Sequence, residues 1–397
     1  MAAEPAYTTT ERARAAAWKR VTRTLPDEAR AQAPYVGKDG VPGTVAYDFC
    51  LPPSFAELSL LPEVRATALA LFKELGIPWH ASVDGGPGNH LLSSQVQCVN
   101  ALGQMITDPA RIVAAFGEMV DIAEVLEIEP GRFLTFEYIG DADFFGGAPH
   151  GQRTRGSMCT SVDAAFLYRT SLGGIELALV EWKYTENYSR RRPSPVKDAT
   201  RRRRYGSELD DPEGPVRNGL LSFNDLLDEP FYQLMRQQLL AHQLETTRAH
   251  GAERVRVIHV APKANTAYQA SVHRRTQLAL GTTVDDIWHE LLRRPDRFIS
   301  IDSSRFLDEK ITSLEYSRRY GDYLVWNKAE AERICDDDVE NHLYGVAEYD
   351  ADVTVHDEGI ELIVEGLGTM LEYPFHLFEL YELAEEVEAA AEAEDLT

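Results

Sequence analysis

Cysteine is scarce in this chain, with four residues in 397. Cys50, Cys98, Cys159 and Cys335 are widely scattered along the sequence. No two of them have the close spacing of a zinc site, and four are too few to make a disulfide framework in a chain of this length. The sequence therefore predicts reduced thiols and a cytoplasmic location.

Long apolar runs are missing as well. No stretch approaches the roughly 18 apolar residues that a membrane-spanning helix needs. Residues 1–18 also lack the apolar core of a secretory signal, so we expect no membrane association. The hydrophobic content of 44%, with 9% aromatic residues, is large enough to bury a core, which excludes general disorder.

Positive charge is in short supply overall but is concentrated in one segment. The chain has 64 acidic and 40 basic residues, a formal charge of −24, which argues against general affinity for nucleic acid. Residues 183–204 nevertheless contain nine basic residues against two acidic ones. The basic residues that follow Lys183 are Arg190, Arg191, Arg192, Lys197, Arg201, Arg202, Arg203 and Arg204. They suit contacts with phosphates, and the interleaved Tyr184, Tyr188 and Tyr205 can stack on bases or sugars.

Hydrophobic periodicity predicts a mixed α/β fold. Helical spacing runs over 62–75, 90–106, 111–126, 231–249 and 284–294, and strand-forming residues cluster in 133–139, 160–169, 175–184 and 254–261. The run 175–184 is almost continuously apolar, which indicates a strand that is buried on both faces. The central order is therefore helix, three strands, helix, strand.

We predict four parts along the chain. Residues 1–84 form a helical extension and a linker, in which the turn-rich stretch 37–53 is the linker. Residues 85–265 hold the core, and 266–379 form a mixed region. Residues 380–397 make an acidic tail with no basic residue, which is either a solvated helix or a disordered end.

One group of residues has the composition of a metal site. Glu181 and Lys183 lie two residues apart on the third strand, so both side chains project from the face that also carries Leu177 and Leu179. Antiparallel pairing of the second and third strands through a glycine turn brings Asp163 beside Glu181. Two carboxylates and a lysine at the ends of adjacent strands suit Mg²⁺, which takes few protein carboxylates and accepts phosphate oxygens.

Asp163, followed by Glu181-Trp182-Lys183 in this order of elements, resembles the PD-(D/E)xK nuclease superfamily. The run 180–188 (VEWKYTENY) is similar to a bacterial, restriction-endonuclease-like branch. The segments 90–100 (HLLSSQVQCVN) and 231–242 (FYQLMRQQLLAH) add to the resemblance, which covers about residues 85–265.

The resemblance implies a restriction-endonuclease-like core and an endodeoxyribonuclease that depends on Mg²⁺, for which Mn²⁺ can substitute. Asp163 and Glu181 would bind the metal, Lys183 would serve the attacking water, and DNA would be the partner. Val162 stands where the name of the motif has proline.

The helix 90–106 has no acidic residue, although such folds often supply an acid there. Glu137 on the first strand is a second-tier metal ligand. Gln95, Gln233 and Gln237 are expected to support the site.

Three further hypotheses remain open at this level. Glu181, Lys183 and Asp163 can be surface residues without a catalytic role, in which case the chain is a silent nucleic-acid-binding or partner-recruiting protein on a nuclease-like fold. The arginines can pair with acids of the same chain, including the tail 380–397, or that tail can contact a protein partner. A homodimer is also possible.

Overall fold

The computed structural model describes residues 5–146, 153–156, 159–321, 351–355, 359–364 and 370–374. The chain divides into two compact units, the first made of Met1–Arg12 with Thr24–Ser313 and the second of Ala13–Arg23 with Leu314–Thr397. Both predicted core boundaries, at 84/85 and at 265/266, fall inside the first unit. The acidic tail 380–397 lies outside the described residues.

The described residues form helices and strands that alternate along much of the chain. The helices are α1 (Ala6–Val21), α2 (Pro62–Leu75), α3 (Ser94–Leu102), α4 (Pro109–Phe116), α5 (Pro195–Asp210), α6 (Phe231–Thr246), α7 (Thr266–Gln269), α8 (Arg275–Leu278), α9 (Val284–Leu291) and α10 (Leu314–Tyr320). The strands are β1 (Ala33–Val36), β2 (Pro42–Tyr47), β3 (Glu124–Leu126), β4 (Leu134–Tyr138), β5 (Val162–Arg169), β6 (Ile175–Trp182), β7 (Arg254–Ala261), β8 (Phe298–Asp302), β9 (Ala351–Val355), β10 (Gly359–Val364) and β11 (Met370–Pro374).

A six-stranded mixed sheet lies at the centre of the first unit. Its main path is β3-β5-β6-β7-β8, and β4 also pairs with β5. The pairs among β3, β4, β5 and β6 are antiparallel, whereas β6, β7 and β8 run parallel. The α/β fold with a mixed sheet is thus confirmed.

Residues of β6 are buried on both faces, as their apolar run predicted. Leu177 and Leu179 pack in the core that also contains α6 residues such as Leu240. Ala178 and Val180 point to the opposite face, and all four β6 residues are fully buried. On that opposite side of the sheet, Phe166 of β5 stacks on Phe116 of α4, with 4.9 Å between ring centroids. Helices therefore cover both faces of the sheet.

Several predicted elements need correction. The stretch 111–126 is not one helix, because α4 ends at Phe116 and β3 then pairs with the last residues of β5. The predicted linker 37–53 contains most of an antiparallel hairpin, β1–β2. The structure also has α5 between β6 and α6, and β8 extends the sheet beyond residue 265.

The second unit combines a helix pair with a small sheet. The indole N–H of Trp18 donates to Glu315 Oε1 over 2.7 Å, and the Arg319 guanidinium lies 4.7 Å from the Trp18 ring. Strands β9, β10 and β11 form an antiparallel three-stranded sheet. No helix within the described residues is long and apolar enough to cross a bilayer. Cys50, Cys98 and Cys159 are free thiols, and Cys335 lies outside the described residues.

Candidate active site

Asp163 and Glu181 lie close together at the end of the β5–β6 pair that is farthest from the tight turn joining the two strands. The antiparallel register pairs Ala164 with Val180, so Asp163 and Glu181 are the next residues on the two strands. Asp163 Oδ2 accepts a hydrogen bond of 2.7 Å from the Trp182 N–H. Both carboxylates line one cavity of about 460 Å³, as the sequence predicted from strand pairing.

Lys183 and Glu181 form a buried ion pair held by α6. The Lys183 Nζ donates to Glu181 Oε1 over 2.5 Å and to Gln233 Oε1 over 2.7 Å. Gln237 donates from Nε2 to the other oxygen of Glu181. Glu181 is 1% exposed and Lys183 is 4% exposed. Because a buried ion pair is tolerated only when its remaining hydrogen-bonding capacity is satisfied, the two glutamines of α6 fix both side chains in place.

The cavity holds more buried negative charge than positive charge. Burial raises the pKa of the Asp163 carboxyl, the Glu181 carboxylate raises it further, and the Lys183 ammonium opposes the rise. Burial acts to lower the pKa of the Lys183 ammonium and is the largest single influence on it, but Glu181 and the other acidic and phenolic groups nearby together raise the pKa, so the lysine keeps its proton. The cavity is therefore lined by more carboxyl groups than cations, which is the electrostatic setting that a bound cation relieves.

Glu137 supplies a third carboxylate to the same cavity. It has a left-handed φ of 47°, and it interrupts β4 between the pairs that Phe136 and Tyr138 make with β5. Its Oε2 accepts a hydrogen bond of 2.8 Å from Ser161 Oγ. Burial raises the pKa of Glu137. A non-glycine residue in this region of φ costs about 1–3 kcal/mol, so the surrounding structure holds Glu137 against that cost.

These side chains fit a hard divalent cation. Across the part of the chain that the structure describes, no three His, Cys, Asp or Glu side chains form a group that could hold a metal ion. Mg²⁺ nevertheless commonly binds only one or two protein carboxylates, which Asp163 and Glu181 can supply, and its other coordination positions are filled by water and phosphate oxygens. Gln237 donates to Glu181 through Nε2, and its Oε1 is a buried oxygen without a hydrogen-bond partner in the described chain.

Gln95 lines the same cavity. Its Oε1 accepts a hydrogen bond of 2.8 Å from the His80 N–H, and its Nε2 donates to Pro78 O over 3.3 Å. A hydrogen bond from Gln95 also acts to lower the pKa of Glu137. All three predicted supporting glutamines therefore contact the site. Gln95 is part of the cavity wall, and the two glutamines of α6 bind the ion pair.

The sequence interpretation missed the cavity residues from the N-terminal third of the chain. Tyr35, His80 and His90 line the cavity, as do Thr185 and Glu186 from the segment after β6. Burial lowers the pKa of His90 to about 4, helped by the Arg12 charge. No local pattern marks these residues, because their place in the cavity depends on contacts between distant segments.

Most of the predicted nucleic-acid-binding segment forms α5. Arg190, Arg192, Lys197, Arg202 and Arg203 are exposed. Two members of the set pair with acids of the same chain, as the alternative interpretation proposed. Arg191 and Arg201 both bind Asp198, at 2.9 and 3.2 Å.

The remaining members of the segment are partly or fully buried. Arg204 is half-buried and lines a small separate cavity. Tyr184 and Tyr205 are buried, so the suggestion that they stack on bases is wrong. Tyr188 is half-buried and lines the cavity that contains Asp163 and Glu181, and its ring packs edge-on against Tyr268.

Comparison with known proteins gives one match. The model of a family described as "Restriction Endonuclease associating with ARP" matches residues 12–324, which is more than three quarters of the chain. No curated protein and no solved structure matches the chain. The chain belongs to this restriction-endonuclease family.

Proposed function

We propose that the protein is a nuclease of the PD-(D/E)xK type, which hydrolyses phosphodiester bonds in DNA with water and requires Mg²⁺. The observation that carries the proposal is the meeting of Asp163, Glu181 and Lys183 in one cavity, with Gln233 and Gln237 fixing the ion pair. The family adds independent support, because its description names a restriction endonuclease.

Asp163 and Glu181 would hold Mg²⁺, and Glu137 is a second-tier ligand in the same cavity. Bound Mg²⁺ supplies charge neutralisation to the phosphate and Lewis acidity at its oxygens. The chain's own residues do the rest. Lys183 is held by Glu181 and Gln233, so its ammonium can orient the attacking water and offset negative charge that grows on the phosphoryl group.

Affinity for DNA would come from the exposed basic residues of 190–203. Phosphate neutralisation by arginine and lysine supplies most of the sequence-independent affinity of a protein for nucleic acid. An acidic protein needs such a local patch, because its average charge repels the polyanion.

The test is cleavage of supercoiled plasmid, linear duplex, single-stranded DNA and RNA, each with and without Mg²⁺ or Mn²⁺. We expect metal-dependent nicking of DNA by the wild type, and a loss of at least roughly 100-fold in kcat for Lys183→Ala, since removing one preorganised stabilising group typically costs that much. Lys310→Ala, an exposed lysine outside the cavity, is the matched control. Equal cleavage by Lys183→Ala would contradict the proposed role.

The second candidate is a catalytically silent nucleic-acid-binding protein on the same fold. One observation favours it: Glu181 is already satisfied by Lys183 and Gln237. Binding of DNA without cleavage, and with no response to Asp163→Ala, would select this candidate.

Partners other than DNA are also part of the proposal. The family's description names association with ARP, and we extend that association to this chain. Copurification of the two proteins tests it. A homodimer stays a prediction, which sedimentation of the full chain would decide.

A further inference from the structure

The hairpin β1–β2 leaves one of its strands largely exposed, although Tyr47 at the end of that strand stacks on Phe49. All six residues of β2 are exposed, although β1 buries Ala33 and Val36. Val45 of β2 is 55% exposed, and Val41, which comes directly before β2, is 60% exposed. A strand in a folded domain normally buries at least one face, so a strand with this much exposure needs an explanation.

Strand β1, the partner of the exposed strand, is held by a buried amide. The Val36 N–H donates to Asn89 Oδ1 over 3.1 Å, and Asn89 Nδ2 donates to Pro34 O and to Leu51 O, each over 2.8 Å. Asn89 is fully buried. An isolated two-stranded ribbon is marginally stable in water, so this buried amide is what fixes the base of the hairpin.

The hairpin borders the candidate active site. Tyr35 of β1 lines the cavity that contains Asp163, and its ring packs edge-on against His90 with 5.2 Å between centroids. At the turn of the hairpin, the charge of Lys38 adds to burial in lowering the pKa of His80, which is another residue of the cavity wall. Tyr35 therefore places β1 of the hairpin at the wall of the cavity.

We propose that the β1–β2 hairpin enters a groove of duplex DNA beside the bound phosphodiester and selects the cleavage site through Val41 and Val45. The inference rests on the proposed nuclease function. A two-stranded β-ribbon fits the major groove of B-DNA, and apolar side chains there distinguish thymine by its methyl group.

The charge of the hairpin agrees with a role in reading bases. Residues 33–47 contain one basic residue, Lys38, and one acidic residue, Asp39. The hairpin therefore contributes no net charge toward phosphates, whereas the segment 190–203 carries that charge. Contacts with base edges specify sequence, and contacts with phosphates position the protein.

The test sequences the ends that the protein produces from a random duplex library. We expect uneven site usage by the wild type. In Val41→Ala/Val45→Ala we expect the preference at one to three base pairs beside the cut to weaken roughly fivefold to twentyfold, the loss expected for a few buried methyl contacts. Preference is a ratio between sites in one reaction, so it does not depend on the overall rate.

Leu172→Ala is the matched control, because Leu172 is an apolar residue that is 95% exposed at the turn between β5 and β6. This variant should keep the wild-type preference. Thermal melting of the double variant, expected to match the wild type, establishes that the protein is folded.

The outcomes separate the two proposals. An uneven wild-type pattern that the double variant keeps would overturn the hairpin inference alone, as would a uniform wild-type pattern. A wild type that cleaves nothing would overturn the nuclease proposal. In that case, selection of bound duplexes from the same library in Mg²⁺-free buffer measures the sequence preference of the hairpin without cleavage. If the double variant enriches the same sequences as the wild type, the proposed role of the hairpin is overturned. If the double variant loses binding to a protein partner while its enrichment of duplexes is unchanged, the proposed role of the hairpin in reading DNA is also overturned.

Discussion

At the scale of single residues, the candidate site is defined by an imbalance of charge. Glu137, Asp163 and Glu181 line the cavity with Lys183 as their neighbouring ammonium. Burial raises the pKa values of Asp163 and Glu137, which means that their charged forms are destabilised by the surroundings. A protein keeps such groups buried at a cost in stability, and perturbed carboxyls in a cavity are typical of functional sites.

His90 gives the cavity wall a dependence on pH. Its pKa is about 4 in the folded protein, because burial disfavours the imidazolium, whereas an unfolded histidine has a pKa near 6.5. The neutral form therefore contributes its full stability above pH 6.5, and that stability is lost as pH falls toward 4. At pH 5 we expect His90 to account for a loss of about 2 kcal/mol in the free energy of unfolding.

Denaturant unfolding of the wild type and of His90→Phe at pH 7 and pH 5 measures this effect. The loss between the two pH values should be about 2 kcal/mol smaller in the variant, because phenylalanine has no proton to gain. The absolute stabilities need not agree, since the comparison uses only the change with pH. Equal losses in both proteins would refute the assignment to His90.

At the scale of elements, α5 carries two kinds of basic residue: some face solvent, and others make contacts that hold the helix in place. Lys197 and Arg203 are exposed, whereas Arg201 binds Asp198 and lies 4.4 Å from the ring of Tyr232. Only the first kind is free to meet a phosphate without breaking a contact within the chain. The helix α5 therefore presents exposed basic residues to solvent, while Arg201 holds the helix in place through contacts within the chain.

We expect Lys197→Ala/Arg203→Ala to weaken binding of duplex DNA and to reduce its dependence on salt. Each phosphate contact that is lost lowers the slope of log K against log salt concentration by about 0.9. Titrations between 50 and 200 mM salt, by fluorescence anisotropy in Mg²⁺-free buffer, give both quantities. Lys310→Ala serves again as the control. An unchanged slope in the double variant would exclude α5 from the DNA interface.

Strands were predictable because their pattern is local. The apolar run of β6 and the glycine turn before it fixed the pairing of Asp163 with Glu181, and the alternation of side chains put Lys183 on the same face. The glutamines of α6 were expected from the family resemblance, in which a helix after the third strand supports the site. The strand predictions needed only neighbouring residues and strand geometry.

The elements that were mispredicted depend on contacts between distant parts of the chain. β3 has three residues and exists because it pairs with β5, about 40 residues later. The hairpin β1–β2 contains Gly37, Gly40 and Pro42, which indicate a linker when they are taken alone. Its strands persist because Asn89 binds the backbone of β1, a contact that sequence patterns do not reveal.

At the scale of the whole molecule, charge is divided between segments of opposite sign. The chain carries −24 in total, yet residues 183–204 have nine basic residues against two acidic ones. The tail 380–397 contains seven acidic residues and no basic residue. We expect a segment with this charge to compete with DNA for residues 183–204, because it offers carboxylates where DNA offers phosphates.

Deleting residues 380–397 is therefore expected to raise the affinity for duplex DNA, by roughly three- to tenfold at 50 mM salt, since competition between exposed charges is worth about a kilocalorie per mole. The gain should shrink at 300 mM salt, where screening acts over about 6 Å. A full-length variant with the seven acids replaced by glutamine or asparagine separates charge from chain length, and it should bind as tightly as the truncated protein. Affinity that is unchanged by either alteration, or a gain that does not depend on salt, would rule out the tail as a competitor and leave its acids available for a protein partner.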